Sequence, residues 1–551
     1  MSNMSRGQAA LAGVTAAAVA IGVAEPVAVL TGPRSAPIIA VGGLVVDVVP
    51  EPLKQFAIAV FGRYDKIALL VGTAVLLAAI AALVGVLAAR RLRIGLAGIA
   101  AFAALGVAAA VTRAGADAFD ALPSLVGGLL GALTLWAFVA GPLGADAGPR
   151  TAPATPEPDG TTPSTVAPSA PAPPPAVAAL ARDETPAGWE PLDGGDQESR
   201  RRFLRGVGLL AGTAAVAGLG GHWLAGRRGV SAAREAVRLP APAAPAPPVP
   251  AGADLSVSRL APFVTPNREF YRIDTALVVP QVDPATWRLR IHGRVRKPIE
   301  LSFDELLARP MVERYVTLAC VSNEVGGDLI GNARWLGVPI RELLDEVEPE
   351  EGADQVVGRS VDGWTCGTPT AVLRDGRDAL LAVGMNGEPL PVEHGFPVRM
   401  VVPGLYGYVS ACKWVTELEL TSFADFDAYW VPRGWSAQGP IRTQSRIDTP
   451  RPRNRLTAGP VTVAGVAWAQ HRGIRTVEVR VDGGPWQEAT LAPTVSVDTW
   501  VQWSWRWDAT PGDHTLQVRA TDSTGETQPE QRRPVAPDGA TGWHTVKVTV
   551  G

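Results

Sequence analysis

Hydrophobic positions are spread unevenly along the 551 residues. Through 9–30, 67–89, 94–111 and 122–139 they run almost unbroken in Ala, Val, Leu, Ile and Gly. Each run is long enough for a helix that crosses a bilayer core of about 30 Å. A further apolar piece, 36–61, carries Asp47, Pro50, Glu51, Pro52 and Lys54 in its middle, which predicts a re-entrant or interfacial segment. From 145 to 198 periodicity gives way to Pro, Ala, Thr and Ser, the composition of a disordered linker. A moderately apolar run then spans 199–226 and predicts one more membrane helix, followed by an Ala/Pro spacer over 227–253.

Past 254 the pattern changes to short alternations. "WRLRIHGRV" alternates like a strand, and "SFDELLAR" and "VPIRELLDEV" have the spacing of short amphipathic helices, with Ser302 placed as a cap. "FPVRMVVPGLYGYVSACKWVTELEL" reads as two strands around a glycine-rich turn. These signals predict an α+β domain over 254–445. After 446 helical periods stop, and "VTVAGVAWA", "IRTVEVRVDGGPW", "WVQWSWRWDA", "HTLQVRATD" and "WHTVKVTV" alternate at the spacing of an immunoglobulin-like β-sandwich, 446–551.

Charge orients the membrane part. "RRLR" at 90–93 lies between the second and third long runs and is expected in the cytoplasm, which returns the linker at 145–198 to the cytoplasmic side and sends everything after 226 outside. The basic "SRRRFLR" at 199–205 resembles a twin-arginine export signal, although it is internal; an ordinary anchor with its basic end inside is the other reading. Both predict a multi-pass cell-membrane protein with its large domain extracytoplasmic. The net charge of −3 gives no ground for a nucleic-acid partner.

Three cysteines are too few for a disulfide framework. Cys320 ends the apolar alternation "YVTLA" and precedes a Gly/Asn-rich irregular stretch, so its thiol is either buried filler or presented to a site. Here the residues carry a resemblance. "FYRIDTALVVPQVDPATWRLRIHG", "TLACVSNE", "GNARWLGVPIRELL" and "MNGEPLPVEHGFPVRMVVPGLYGYVSACKWV", followed by a β-rich tail, resemble the sulfite oxidase family of molybdopterin enzymes from about 265 onward. The resemblance does not cover the first 250 residues, where the apolar runs predict a transmembrane helical bundle over 1–144; beyond them it implies the family's α+β molybdopterin-binding domain and an immunoglobulin-like sandwich.

It also implies a molybdenum–molybdopterin cofactor. Cys320 would be the metal-ligating thiolate, and coordination would remove the cost of a buried thiolate. His394 and Arg399 would hold the pterin, Arg399 by a bidentate contact with its phosphate. Ser410 and Lys413 would follow as donors, and Asn267, Tyr271 and Arg272 would lie near pterin or metal. Arg272 stands where the family's arginine binds an anionic substrate. Cys366 and Cys412 lack the motif and are structural or paired with each other.

Departures concern the substrate. Asp274 stands where the family usually has histidine, and Glu324 and Val325 follow the matching Asn323 where it tends to have arginines. The implied reaction is two-electron oxygen-atom transfer on a small oxyanion or an S- or N-oxide. There is no CxxCH haem motif, and none of the six histidines falls in the four-span bundle. A separate cytochrome or quinone is therefore the expected electron partner. The family's sandwich commonly pairs subunits, so a homodimer is expected. The other functional class is a non-catalytic cell-surface binding protein that retains the fold.

Overall fold

The long apolar runs become helices. The computed structural model describes residues 4–32, 35–49, 65–112, 116–143, 194–227 and 229–551, which fall into two units. The first contains α1 (Arg6–Thr31), α2 (Pro37–Val48), α3 (Asp65–Arg90), α4 (Leu92–Val111), α5 (Leu122–Val139) and α6 (Gly194–Arg227). All but α2 include a stretch long and apolar enough to cross a membrane. Ser5 and Gln8 form a reciprocal capping box at the start of α1. Pro37 and Pro123 occupy first turns, where a missing N–H costs no helical hydrogen bond. Small residues let α1 and α3 meet backbone to backbone: a Cβ on Gly13 would lie 2.0 Å from the Ala81 carbonyl oxygen. Of the segment at 36–61, the described part is α2, packed on α4, and 50–61 lie outside the described residues. The linker expected at 145–198 lies outside them as far as Gly194, where α6 begins.

In the second unit the α+β part is built on two sheets. One has the order β2-β1-β10-β5-β6, from β1 (Arg288–Gly293), β2 (Ile299–Ser302), β5 (Gln355–Ser360), β6 (Thr365–Pro369) and β10 (Val415–Thr421), with β1 and β10 parallel. The other has the order β3-β4-β7-β8, from β3 (Val312–Ala319), β4 (Ile330–Pro339), β7 (Leu380–Met385) and β8 (Glu388–Pro389), with β9 (Arg399–Val401) pairing β7. Thus the strands on either side of the glycine-rich turn, β9 and β10, enter different sheets.

Helices α8 (Phe303–Leu307), α9 (Ile340–Val347), α10 (Thr370–Arg374) and α11 (Gly407–Ser410) link these strands. Ser302 caps α8 in a box with Glu305, as its position predicts. The remaining strands, β11 (Gln444–Thr449), β12 (Arg455–Leu456), β13 (Gly459–Trp468), β14 (Ile474–Val481), β15 (Gln487–Glu488), β16 (Thr490–Leu491), β17 (Val501–Ala509), β18 (Gly512–Asp522) and β19 (His544–Val550), form the facing sheets β11-β13-β17-β16 and β12-β19-β18-β14-β15 around Val463, Trp503, Leu516, Val518 and Val546.

The spacer expected at 227–253 is corrected: its described residues are part of the folded unit. Ser231–Ala236 is the short helix α7, and Val230 is buried in the core beneath β4 and β7 residues. Further on, Ala243 N–H donates to the Met311 carbonyl at 2.7 Å and Glu313 N–H to the Ala244 carbonyl at 2.9 Å. A proline-rich chain is extended and keeps its carbonyls free, so it can cover the edge of β3 that, among the described residues, no other strand pairs.

Candidate active site

Strand β3 turns into β4 through a loop that starts with Cys320. The strand's last residues are fully buried, and Ala319 pairs with Ile330. Cys320 N–H donates to the Leu329 carbonyl at 2.9 Å, and Leu329 N–H donates to Asn323 Oδ1 at 2.9 Å, so the loop is closed by its own bonds. Arg446, on β11, donates to the Gly327 carbonyl at 2.7 Å while pairing with Asp448 at 2.6 Å, both side chains largely buried. Arg446→Ala would leave Asp448 buried without its cation. We expect a loss of about 3 kcal/mol of stability, read by denaturant unfolding of the purified chain.

The Cys320 thiol is buried and accepts one N–H, from Ser322 at 3.4 Å. Burial raises its pKa, opposed by that hydrogen bond. Tyr271 shares its surroundings. Burial and then the charge of Cys320 push the phenol up, opposed by Arg399. Tyr406 feels Cys320 too, and mainly through burial is pushed up to about 12. Tyr406 caps the start of α11, whose first residue, Gly407, has no side chain. A Cβ on Gly407 would lie 3.8 Å from the Ala319 carbonyl oxygen and 3.9 Å from the Tyr271 hydroxyl.

Arg399 is buried on β9. Among the described residues its guanidinium donates only to backbone, the His394 carbonyl at 3.1 Å and the Met400 carbonyl at 3.4 Å, and it lies 5.0 Å over the Trp335 ring. Among the described residues no carboxylate pairs with it. Burial lowers its pKa to about 10. His394 ends the turn after β8, and its Nε2 donates to the Asn267 carbonyl at 3.1 Å, which leaves Nδ1 as an acceptor. Burial, reinforced by the Arg399 charge, lowers its pKa to about 4, so the imidazole is neutral. Gly395, with φ of +113°, brings the two cations together: a Cβ there would lie 3.0 Å from Arg399 Cβ and 3.2 Å from Lys413 Cβ.

Lys413 pairs with Asp274 at 2.7 Å, and Arg272 binds the same carboxylate at 2.8 Å. Burial lowers Lys413 to about 8 despite that partner. Asn267 is tied to Glu388 and Asn386. These ring stackings and bonds gather Asn267, Tyr271, Cys320, His394, Arg399 and Lys413 into one neighbourhood, with Phe270 packed on Tyr271, Trp335 and His394.

One sequence expectation changes, and of the two readings of Cys366 and Cys412 the structural one holds. Ser410 spends its hydroxyl proton on the Leu405 and Tyr406 carbonyls, so that hydroxyl is not a spare donor. Cys366 and Cys412 are free buried thiols, Cys366 lying 3.9 Å from the Met400 sulfur. Tyr406 and Trp335 were missed, although both stand inside the quoted stretches "GLYGYVS" and "GNARWLGV"; for Tyr406 an aromatic beside a glycine-rich turn was the available signal, whereas Trp335 lies mid-strand in β4 and offered none.

Residues 276–430 match the family model described as the oxidoreductase molybdopterin binding domain, and 444–518 match a bacterial Ig domain. The fold and site therefore define a molybdopterin-dependent oxidoreductase followed by a sandwich. Sulfite oxidase of Gallus gallus is 30% identical over 324 residues, covering 50% of this chain and 70% of that one. The mitochondrial sulfite oxidase of Mus musculus is also 30% identical, covering 52% of this chain and 62% of its own length. The solved sulfane dehydrogenase SoxCD of Paracoccus pantotrophus is 26% identical over 52% of this chain and 81% of that one, with a TM-score of 0.46.

The chain belongs to the sulfite oxidase family. It is an enzyme, and its cofactor is molybdenum–molybdopterin. The residues present fit that group: a buried cation lacking an anion suits a phosphate, a neutral imidazole offers an acceptor, and a buried thiol suits a soft metal.

Proposed function

We propose that this is a membrane-anchored, extracytoplasmic oxidoreductase in which Cys320 ligates the metal and Arg399, His394, Lys413, Asn267 and Tyr271 hold the pterin. In this reading 1–144 and 199–226 are the membrane part, 254–445 the catalytic domain and 446–551 the pairing-type sandwich. The observation that carries the site is the buried Arg399 guanidinium with no carboxylate among the described residues. Leaving such a charge unpaired costs several kcal/mol, so the fold must expect an anion there. Outward-facing apolar side chains support the membrane assignment: Leu209, Val216 and Leu219 of α6 are each more than 70% exposed.

When bound, molybdenum–molybdopterin supplies two-electron oxygen-atom transfer. The chain's own residues hold and select. Cys320 would ligate the metal as the thiolate, its proton lost to solvent. Arg399 would offer its fork to the phosphate, and His394 Nδ1 would accept a hydrogen bond from the pterin. Arg272 orients the substrate, with its charge shared against Asp274. Two cations, Arg272 and Lys413, meet one buried carboxylate, and Glu324 is exposed on the Cys320 loop. This balance supports an S- or N-oxide in preference to a doubly charged oxyanion. A separate cytochrome or quinone would exchange the electrons.

The test is turnover by the loaded full chain in detergent, comparing a methyl sulfoxide with reduced viologen against sulfite with ferricyanide. The sulfoxide is expected to show the higher kcat/KM, with Arg272→Ala lowering it no more than about tenfold, the loss of an exposed polar contact. Fast sulfite oxidation abolished by Arg272→Ala would reverse the substrate assignment.

A further inference from the structure

We propose that Arg234, on the short helix Ser231–Ala236, is a positioning residue for the cofactor cradle, locking His394 from outside the motifs that carry the family resemblance. The inference rests on the reading that His394 and Arg399 hold the pterin. The helix is seated by buried Val230, whose N–H donates to Gln281 Oε1 at 3.1 Å. From it Arg234, with a side chain 19% exposed, makes three bonds to one short strand and its exit. Nε donates to the Leu390 carbonyl at 2.7 Å, and Nη2 donates to the Pro389 carbonyl at 2.6 Å and to Glu388 Oε2 at 3.0 Å.

Two routes run from these bonds to the imidazole. Pro389 and Leu390 lead directly into the turn Val392–His394, so fixing their carbonyls fixes the backbone that presents the ring. Through the side chain, the other Glu388 oxygen accepts from Asn267 Nδ2 at 2.5 Å, and the Asn267 carbonyl accepts from His394 Nε2 at 3.1 Å. Asn386 braces Asn267 from the far side, donating to its Oδ1 at 2.8 Å. The bond at Nε2 selects the tautomer that leaves Nδ1 free to accept. Arg234 thereby holds both the position of the ring and the partner that sets its tautomer. A lysine has no planar fork and could reach only one of the three acceptors well.

This also gives the segment after α6 a task that its composition hides. Groups that orient a ligand's own holders typically change affinity or activity by about 10–100-fold when removed.

The test follows molybdenum and pterin release from the loaded full chain in detergent at fixed temperature, by metal analysis and pterin fluorescence of the retained protein. Arg234→Met is expected to speed release about tenfold, Arg234→Lys to recover part of it, and Arg234→Met with Glu388→Gln to release no faster than Arg234→Met alone. The cofactor-free Arg234→Met chain is expected to melt where the unaltered cofactor-free chain does. Unchanged release in Arg234→Met, with faster release in His394→Ala, overturns the positioning role and leaves the cofactor reading standing. A markedly lower melting point without cofactor makes Arg234 a fold-wide tie and also overturns it. Release unchanged in both His394→Ala and Arg399→Met removes the cofactor reading, and this inference with it.

Discussion

Cys320→Ser is expected to lower turnover by more than about a hundredfold while leaving the pterin bound. The lower bound follows from outer-shell partners of metal ligands, whose loss already costs about 10–100-fold. An alcohol is nearly the size of the thiol but far less acidic, and its hard oxygen is a poor match for a metal held through sulfur. The fold should hardly notice the exchange. The Cys320 loop is closed by the backbone bond to Leu329 and by Asn323, neither of which involves the sulfur. Pterin should stay because Arg399 and His394 are carried by β9 and the turn before it, elements that the substitution leaves alone. The measurements are molybdenum and pterin per chain, the sulfur-to-metal absorption band and steady-state turnover. A variant that kept both the band and full turnover would show that the sulfur never met the metal.

What could be read along the chain was what local periodicity encodes. In β1, Leu289 and Ile291 point inward while Arg288 and Arg290 stay exposed, so the alternation of "RLRIHG" was sufficient. In α9, Ile340, Leu343, Leu344 and Val347 are buried at helical spacing, and the sequence shows that stripe directly. The site residues had no such signature. Cys320, His394 and Arg399 were legible only through the resemblance of whole motifs. Trp335 under Arg399 depends on β4 and β9 flanking β7, a pairing that no short window contains.

The stretch after α6 was misread for a related reason. Ala/Pro composition specifies an extended backbone, and an extended backbone is equally suited to solvent or to the open edge of β3. Which one it meets depends on Met311 and Glu313, far along the chain. Asp274 was noticed as a departure, but its pairing with both Arg272 and Lys413 became visible only once β10's approach placed Lys413 beside it.

Arg399→Met carries the second large effect, and its sign reverses with cofactor. In the loaded chain the guanidinium is expected to face a phosphate in a buried, charge-assisted contact. Breaking such a pair costs about 3–5 kcal/mol, which weakens retention by roughly 10²–10⁴-fold. Without cofactor the same guanidinium has only the His394 and Met400 carbonyls and the Trp335 face, and burial already lowers its pKa to about 10. Methionine in that place fills similar volume against the ring with no charge to desolvate. The cofactor-free variant should therefore melt at or above the unaltered cofactor-free chain, while the loaded preparation should contain little pterin. Arg399→Lys keeps a charge but not the fork, so it should retain less cofactor than arginine and gain no stability when empty. Melting curves and pterin content for both forms give the four values needed. A buried cation that merely served the fold would destabilise both forms on removal, and that outcome would detach Arg399 from the cofactor.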